Sequence, residues 1–533
     1  MREYERSYLS LFIALLIVIS LGFLTGVFEV QAQETDIFQH PNFEQAGIKK
    51  TLADQIGTGR GDIQTPGSSL YIIGRDPFRS IRRGRSLFQR KFTISQGMGP
   101  RNGDGFGDIS ADASLGAGLA DSCATCHGRP RGSAGFGGDV FTRPDSRDAP
   151  HLFGLGIIEM LADEITQDLR RIRDQAIAGA KARQRAVEVL LKSKGISYGK
   201  IRVNPDGSVD PFDLKGVDKD LRVRPFFHHG GTISIREFIV GALNGEMGLE
   251  AFDPDLAQAS AGNRVVTPSG MVLDGTTDTI EAPPAVSESD DPDLDGVANE
   301  IPVSLVDHLE FYLLNYFKPA IGRQTHDTEK GRKIFEEIQC TGCHIQNLVI
   351  ERDRRVADVE TTYDPRRGIF NDLFAVATAQ VQEVPGSGSP PVKEPTGRKF
   401  VVKNIYADFK RHDLGPNFWE RNFYGTLTKE FMTEPLWGVG SSAPYGHDGR
   451  SIDLWSVIMR HGGEAEQARN RFARLPDGKQ AQVIDFLQTL VLFPPDDTAS
   501  NLNPGDSQTQ YFPQYGHGNI ALPVLFNNPN DLE

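Results

Sequence analysis

The four cysteines of the chain occur in two copies of one short pattern, in which a histidine directly follows the second cysteine. The copies are Cys123, Cys126 and His127, and Cys340, Cys343 and His344. In a C-x-x-C-H pattern each thiol can form a thioether with a haem vinyl group, and the histidine can be the proximal iron ligand. A zinc site would need four ligands of its own, and a redox dithiol does not need the histidine. The pattern therefore predicts two covalently bound haem c groups.

The side chain opposite each proximal histidine decides what that haem can do. An iron with an open coordination position can carry out peroxide chemistry, whereas a six-coordinate iron transfers electrons. After the second motif, the candidate distal ligands are His412, Met432, His447, Met459 and His461. Two histidine ligands would give a low reduction potential, and a methionine would raise it.

The N-terminal residues predict export. Residues 1–32 contain Arg2 and Arg6, then the apolar run Leu9–Phe28 and small residues suited to signal-peptidase cleavage. The run is also long enough to span a bilayer, so a cleaved signal peptide, which is favoured, and a retained anchor both stay open. In either case the body of the protein is expected in the periplasm, and membrane association requires the anchor. The formal net charge of −14 argues against nucleic acid and favours partners with a basic face.

The repeated motif, with a predicted helix before each copy, indicates a mainly α fold. We expect two cytochrome c-like domains with one covalent haem each and long irregular loops. In the second copy Ile334, Phe335 and Ile338 fall on one helical stripe that can pack on a haem. The predicted organisation is a signal or anchor at 1–32, an irregular extension at 33–80, an N-terminal domain at 81–250, an acidic linker at 251–300, a C-terminal domain at 301–495 and a tail at 496–533.

Other stretches have patterns of their own. Apolar periodicity predicts helices over residues 164–194, 303–317 and 479–492. Residues 353–400 are rich in turn-forming residues toward their end and are predicted to form a long loop.

Several phrases around the two motifs resemble a known family. They are Pro150–Gly156, His412–Gly415, Ser442–Gly449 and His461–Ala465. Over roughly residues 80–495 the chain resembles the bacterial di-haem cytochrome c peroxidases. It is most similar to the di-haem oxidoreductases of the thiol oxidoreductase and peroxidase group.

The resemblance implies different ligation of the two irons. In such peroxidases the distal ligand of the C-terminal haem lies on the helix after the His-Asp-Gly phrase, which here offers Met459 and His461, with His461 favoured. For the N-terminal haem, residues 128–146 contain no histidine where the peroxidases have one. That iron is therefore expected to keep an open position, although His151 and His228 could swing in.

The resemblance also implies a catalytic residue. The family's acid–base glutamate stands in a Glu-Met-Gly phrase, which Glu246 matches, and it would move the proton between the two peroxide oxygens. The alternative is an ordinary exposed carboxylate at a helix end. Two positions depart from the family, since His228 replaces the tryptophan between the haems and Phe238 replaces a glutamine.

Two calcium sites are predicted on different grounds. The family holds one Ca²⁺ between its domains, and the ligands carried over are Asp148, Ser442 and the carbonyl of Pro444, all hard oxygen donors. Independently, Asp291–Glu300 places oxygens at positions 1, 3, 5 and 9 of an EF-hand-like loop, with glycine at position 6. Position 12 is Pro302, so this loop is either a calcium staple or a simple acidic turn.

The sequence thus predicts a periplasmic di-haem oxidoreductase of peroxidase type. Electrons from a small periplasmic donor, a cytochrome or a cupredoxin, would enter at the C-terminal haem, and peroxide or another small substrate would react at the N-terminal haem. One alternative is a non-catalytic electron-transfer cytochrome with both irons six-coordinate. A third reading is a calcium-dependent binding or scaffold component.

Overall fold

The computed structural model describes residues 57–99, 120–129, 133–137, 148–316, 318–366, 372–421 and 425–492, with residue 52 and the short strand at 520–521. The predicted signal or anchor at 1–32 lies outside these residues, as do much of the extension at 33–80 and most of the tail at 496–533. Among the described residues, no helix combines the length and apolar character needed to cross a membrane.

The described helices vary from a single turn to 29 residues. They are α1 (Ser69–Arg75), α2 (Pro77–Gln89), α3 (Cys123–His127), α4 (Leu155–Arg183), α5 (Ile235–Met247), α6 (Pro254–Ser260), α7 (Val303–Asn315), α8 (His326–Glu337), α9 (Leu454–Arg460), α10 (Glu466–Ala473) and α11 (Asp477–Gln488).

The described strands are mostly short. They are β1 (Val187–Ser193), β2 (Ile196–Val203), β3 (Val209–Leu214), β4 (Arg264–Val266), β5 (Val272–Asp274), β6 (Ala320–Ile321), β7 (Leu348–Ile350), β8 (Ala357–Tyr363), β9 (Leu373–Ala379), β10 (Val381–Glu383), β11 (Lys393–Pro395), β12 (Phe400–Val402), β13 (Arg411–Asp413), β14 (Glu420–Arg421), β15 (Leu427–Thr428), β16 (Glu430–Met432), β17 (Leu490–Val491) and β18 (Ile520–Ala521).

The prediction of a mainly α fold with two cytochrome c-like domains is wrong. The structure contains 34% helix and 19% strand, and the strands form several small sheets that are antiparallel with one exception. One sheet has the order β1–β2–β3, and another pairs β8 with β9 and adds β18 in parallel. Residues 353–400, predicted as loop, contain the strands β8 to β11 and the first residue of β12. Residues 187–193, predicted as helix, form β1.

Two hydrophobic clusters form the core. The larger one includes α4, α5 and α7, and Cys123 and Cys126 of the first motif pack against it. The smaller one joins Ile334 and Phe335 of α8 to Phe486 of α11, and Cys340 packs against it. Each motif therefore lies at the edge of an apolar region, where a haem could complete the packing.

The central helix α7 is buried along nearly its whole length. It packs against α2 of the N-terminal region, and Gly84 of α2 faces the backbone oxygen of His308. The division into domains at residue 300 stays a prediction, but α7 belongs by packing to the surroundings of the first motif.

Helix α5 has well-defined ends. The Ser234 hydroxyl accepts a hydrogen bond from the N–H of Glu237, which caps the N-terminus. Gly248, with φ +63°, ends the helix, and its N–H donates to the carbonyl of Asn244. These two caps fix the last turn, which carries Glu246.

Candidate functional site

Both cysteine motifs open into one cavity of about 1650 Å³. Pockets for a single small ligand usually have volumes of roughly 300–1,000 Å³, so this space suits more than one large group. Predicted site residues from all parts of the chain line it, namely Cys126, His127, Asp148, Glu246, Cys340, Cys343, His344, Ser442, Pro444 and His461. Cys123 is the predicted site residue that does not line it.

One cysteine of each motif, Cys123 and Cys340, is in an environment that favours neutral sulfur. Burial raises the pKa of the Cys123 thiol to about 12. Burial, with a contribution from neighbouring Cys343, raises the pKa of the Cys340 thiol to about 12 as well. Since zinc is bound by thiolates, the Cys123 and Cys340 sulfurs fit a neutral thioether better than they fit a zinc ligand.

His127 is held in the orientation that a haem ligand needs. Its Nδ1 lies 2.8 Å from the carbonyl oxygen of Pro150, and because a carbonyl can only accept, Nδ1 carries the proton. Burial lowers the pKa of His127 to about 4, so the ring is neutral. A metal-bound histidine characteristically donates its other N–H in this way, which leaves the Nε2 lone pair for the iron.

His344 repeats this arrangement in the second motif. Its Nδ1 donates to the carbonyl oxygen of Tyr406 over 3.0 Å. Burial lowers the pKa of His344 to about 4. The ring of Phe335 lies beside it, with the two ring centroids 6.1 Å apart.

His461 is a third histidine of the same type. It follows α9, and its Nδ1 donates to the carbonyl of Val457 over 2.7 Å. Burial lowers its pKa, and it interacts electrostatically with His344. Met459, the other candidate, does not line the cavity and packs against the smaller hydrophobic cluster. Of the two candidates, His461 is therefore the one that lines the cavity.

His412 is unsuited to ligation. Its two ring nitrogens each lie 2.9 Å from a carboxylate oxygen, of Asp408 and of Glu464. Burial alone would lower the pKa of His412, but hydrogen bonds to Asp408 and Cys343 raise it to about 11. Both ring nitrogens of His412 are thus occupied by carboxylate partners, so neither is left for an iron.

The two histidines that interact electrostatically with His127 are both fully engaged. The Nε2 of His151 donates to the carbonyl of Trp437 over 2.9 Å, and its Nδ1 accepts from the N–H of Phe153. His228 places Nδ1 2.6 Å from a Glu434 oxygen and Nε2 3.4 Å from the carbonyl oxygen of Asp148. Neither ring directs a lone pair at an iron on His127.

Helix α5 brings its residues to the first motif. The Phe238 ring centroid is 6.5 Å from that of His127, and Glu246 lines the same cavity two turns later. Glu246 is half-buried, which contrasts with an ordinary exposed helix-end carboxylate.

The predicted ligands of the interdomain calcium come from distant parts of the chain and line one wall. The N–H of Asp148 donates to the carbonyl of His447 over 3.1 Å. A Cβ atom on Gly449 would lie 3.2 Å from Asp148 Cβ and 3.4 Å from Pro444 Cγ, so these residues meet around that glycine. Ser442 lines the same cavity.

Sequence reasoning missed the carboxylates that fix these histidines. Asp408 lies four residues before His412, a spacing at which an acid and a histidine can pair, and this signal was available. Glu434 has no such signal, because it is 206 residues from its partner His228.

Comparison with known proteins supports the family resemblance for part of the chain. Residues 366–490 match the family model described as "Di-haem oxidoreductase, putative peroxidase", which confirms the predicted resemblance there. This segment includes His461 but neither cysteine motif. No curated protein sequence matches the chain. A solved structure of hydrazine synthase from Kuenenia stuttgartiensis under xenon pressure is 14% identical, with 81% of this chain and 94% of that chain covered, at a TM-score of 0.31. At that score the likeness supports no conclusion about the fold.

Proposed function

Because residues 366–490 match a family of di-haem oxidoreductases, we propose that the protein is a periplasmic di-haem c-type oxidoreductase of peroxidase type. The asymmetry between the two motifs carries the proposal. His344 shares its part of the cavity with His461, a second neutral histidine anchored through Nδ1. His151 and His228, which interact electrostatically with His127, each have both ring nitrogens within hydrogen-bond distance of another residue. The first haem would therefore keep an open face.

The residues present fit two covalent haems. The cysteine pairs would attach them, His127 and His344 would be proximal ligands, and His461 would be the distal ligand of the second. When bound, the haems supply electron transfer and the redox chemistry of the reaction. The polypeptide holds each proximal histidine neutral through burial and orients it through a backbone carbonyl.

Glu246 is proposed to move the proton between the two oxygens of a peroxide substrate. Its support is its position, since it lines the cavity that both motifs share and lies on a helix capped at both ends. A general acid–base must reach the substrate oxygens directly or through one water, and a carboxylate in the cavity wall can do so.

Electrons are proposed to enter at the C-terminal haem from a small periplasmic donor, a cytochrome or a cupredoxin. The net charge of −14 favours a donor with a basic face. A Ca²⁺ ion is proposed to bind between the motifs, to Asp148, Ser442 and Pro444. Its positive charge would hold together the parts of the cavity wall that carry Asp148 and Ser442.

Electron paramagnetic resonance of the purified ferric protein tests the asymmetry. We expect one low-spin iron and one high-spin iron. Two low-spin irons that stay unchanged after partial reduction would leave only the electron-transfer cytochrome.

A variant pair tests Glu246. Glu246→Gln should lower peroxide turnover by about 100-fold or more at unchanged haem content, which is the usual scale for losing a general acid–base. Glu337→Gln, on an exposed position of α8 outside the cavity, should keep wild-type turnover. Undiminished turnover in Glu246→Gln would remove the residue from the mechanism.

A further inference from the structure

The acidic loop before α7 gathers carboxylates in a small space. Asp291, Asp293 and Asp295 each offer an oxygen, and these oxygens all lie within 4.8 Å of one another. Gly296 follows with φ +94°, a conformation that favours glycine, and its N–H donates to Asp291 over 3.1 Å. Such a cluster of acids alone would not indicate a ligand.

Glu300 supplies an independent observation. Its side chain is only 5% exposed, and its Oε1 is buried without a hydrogen-bond partner anywhere in the described part of the chain. The other oxygen accepts a hydrogen bond from the N–H of Glu250 over 2.5 Å. Leaving a carboxylate oxygen buried and unsatisfied is costly unless a cation is present.

The neighbours of Glu300 increase this cost. Burial raises its pKa to about 9, and the charges of Asp293, Asp295 and Glu250 act in the same direction. Glu250 and Asp293 are themselves buried, at 3% and 5% exposure. The loop therefore places several carboxylates close together, with Glu300, Glu250 and Asp293 largely removed from water.

We propose that this loop is a calcium site, in which Asp291, Asp293, Asp295 and Glu300 bind one Ca²⁺. The donors are all oxygen, which excludes the nitrogen and sulfur ligands preferred by zinc. Several carboxylates on one loop suit the larger coordination number of Ca²⁺ better than the strict octahedron of Mg²⁺. An EF-hand loop has an acidic ligand at position 12, where this loop has Pro302. Glu300 would supply that acidic ligand instead.

The ion would connect three parts of the molecule. Glu300 is hydrogen-bonded to Glu250, four residues after Glu246, and the N–H of Asp293 donates to Glu250 as well. Gly97 leaves room for the Glu300 carboxylate, because a Cβ atom there would lie 2.2 Å from its Cδ. The site is separate from the one proposed at Asp148 and does not depend on the redox function.

Calorimetric titration of the chelator-treated, haem-loaded full-length protein with CaCl₂ tests the proposal. The double variant Asp291→Asn/Asp295→Asn should bind one equivalent of Ca²⁺ less than wild type, or should bind that equivalent about tenfold or more weakly. Glu288→Gln, an exposed acid just before the loop, should match wild type. Asp148→Asn should still bind the equivalent of Ca²⁺ that is assigned to the acidic loop, which distinguishes the loop site from the site proposed at Asp148. Wild-type binding in the double variant, or no binding by wild type, would overturn the proposal.

A second variant distinguishes a metal ligand from a structural carboxylate. Glu300→Gln keeps the shape of the protonated side chain but cannot ionise to bind a cation, so it should leave the melting temperature of the calcium-free protein near the wild-type value and abolish the rise on adding Ca²⁺. A purely structural carboxylate would instead give a lower melting temperature and leave the calcium response as in wild type.

Discussion

A Cβ atom on Gly331 would lie 1.8 Å from the backbone oxygen of Gln482. Helices α8 and α11 therefore cross with their backbones in contact, next to the second cysteine motif. The same relationship recurs at the first motif, where a Cβ atom on Gly84 would lie 2.1 Å from the backbone oxygen of His308. At both motifs, two helices thus cross with their backbones in contact. The stretch of chain between the paired helices is longer at the first motif, between α2 and α7, than at the second, between α8 and α11.

Gly331→Ala should destabilise the protein by about 1–3 kcal/mol or more, because neither backbone can move without disturbing the helix pair. Chemical denaturation measures this. Gly478→Ala is the matched control, since Gly478 lies in α11 with open space around it. That variant should be neutral or slightly stabilising, given the higher helix propensity of alanine. Equal stability of the two variants would contradict the close crossing.

Arg236→Ala should cost about 3–5 kcal/mol of stability. The Arg236 side chain is fully buried and bonds Asp253, Asp307 and Glu310. Its removal leaves the buried carboxylates of Asp253 and Glu310 without their cation, whereas Asp307 keeps Arg60. Thermal and denaturant unfolding should both report the loss. Arg202→Ala removes an exposed ion pair and should leave stability close to that of wild type. A small effect of Arg236→Ala would mean that another cation compensates.

His461→Ala should convert the low-spin signal of one iron to high spin and leave the other iron unchanged. The reason is that His461 lines the cavity, has Nδ1 anchored to a backbone carbonyl and interacts electrostatically with His344. Electronic and paramagnetic spectra measure the change. Met459→Leu keeps the side-chain volume and should keep the wild-type spectra. The reverse result, with Met459→Leu altering the spin state, would assign the ligand to the methionine.

Stability should fall as the pH decreases from 6.5 to about 4, in part through His151. Burial lowers the pKa of His151 from 6.5 to about 4, so in this window the unfolded chain binds a proton that the folded protein excludes. One such group contributes a slope of at most about 1.4 kcal/mol per pH unit. Denaturant unfolding of His151→Gln should therefore show a weaker acid dependence than wild type, with an unchanged slope between pH 7 and 9. Identical acid slopes would show that His151 titrates alike in both states.

Strand content is where sequence reasoning about the fold failed. Residues 353–400 were expected to be loop because of their proline, glycine and serine, yet those residues mark only the turn between β10 and β11. Ahead of that turn, β8 alternates buried and exposed positions, with Val359 inside and Glu360 outside. This alternation is typical of a strand, but the strand forms only because β9 pairs with β8.

The two C-x-x-C-H motifs, the candidate set of histidines and the acidic loop could all be read from the sequence by itself, because the chemistry depends on residue types at short spacing. Only the tertiary structure decided which histidines have a ring nitrogen left for a metal. His412 and His228 are held by Asp408, Glu464 and Glu434, and two of these three carboxylates are distant in the chain. A hydrogen bond to a histidine depends on through-space distance, and no local pattern encodes partners that folding alone brings together.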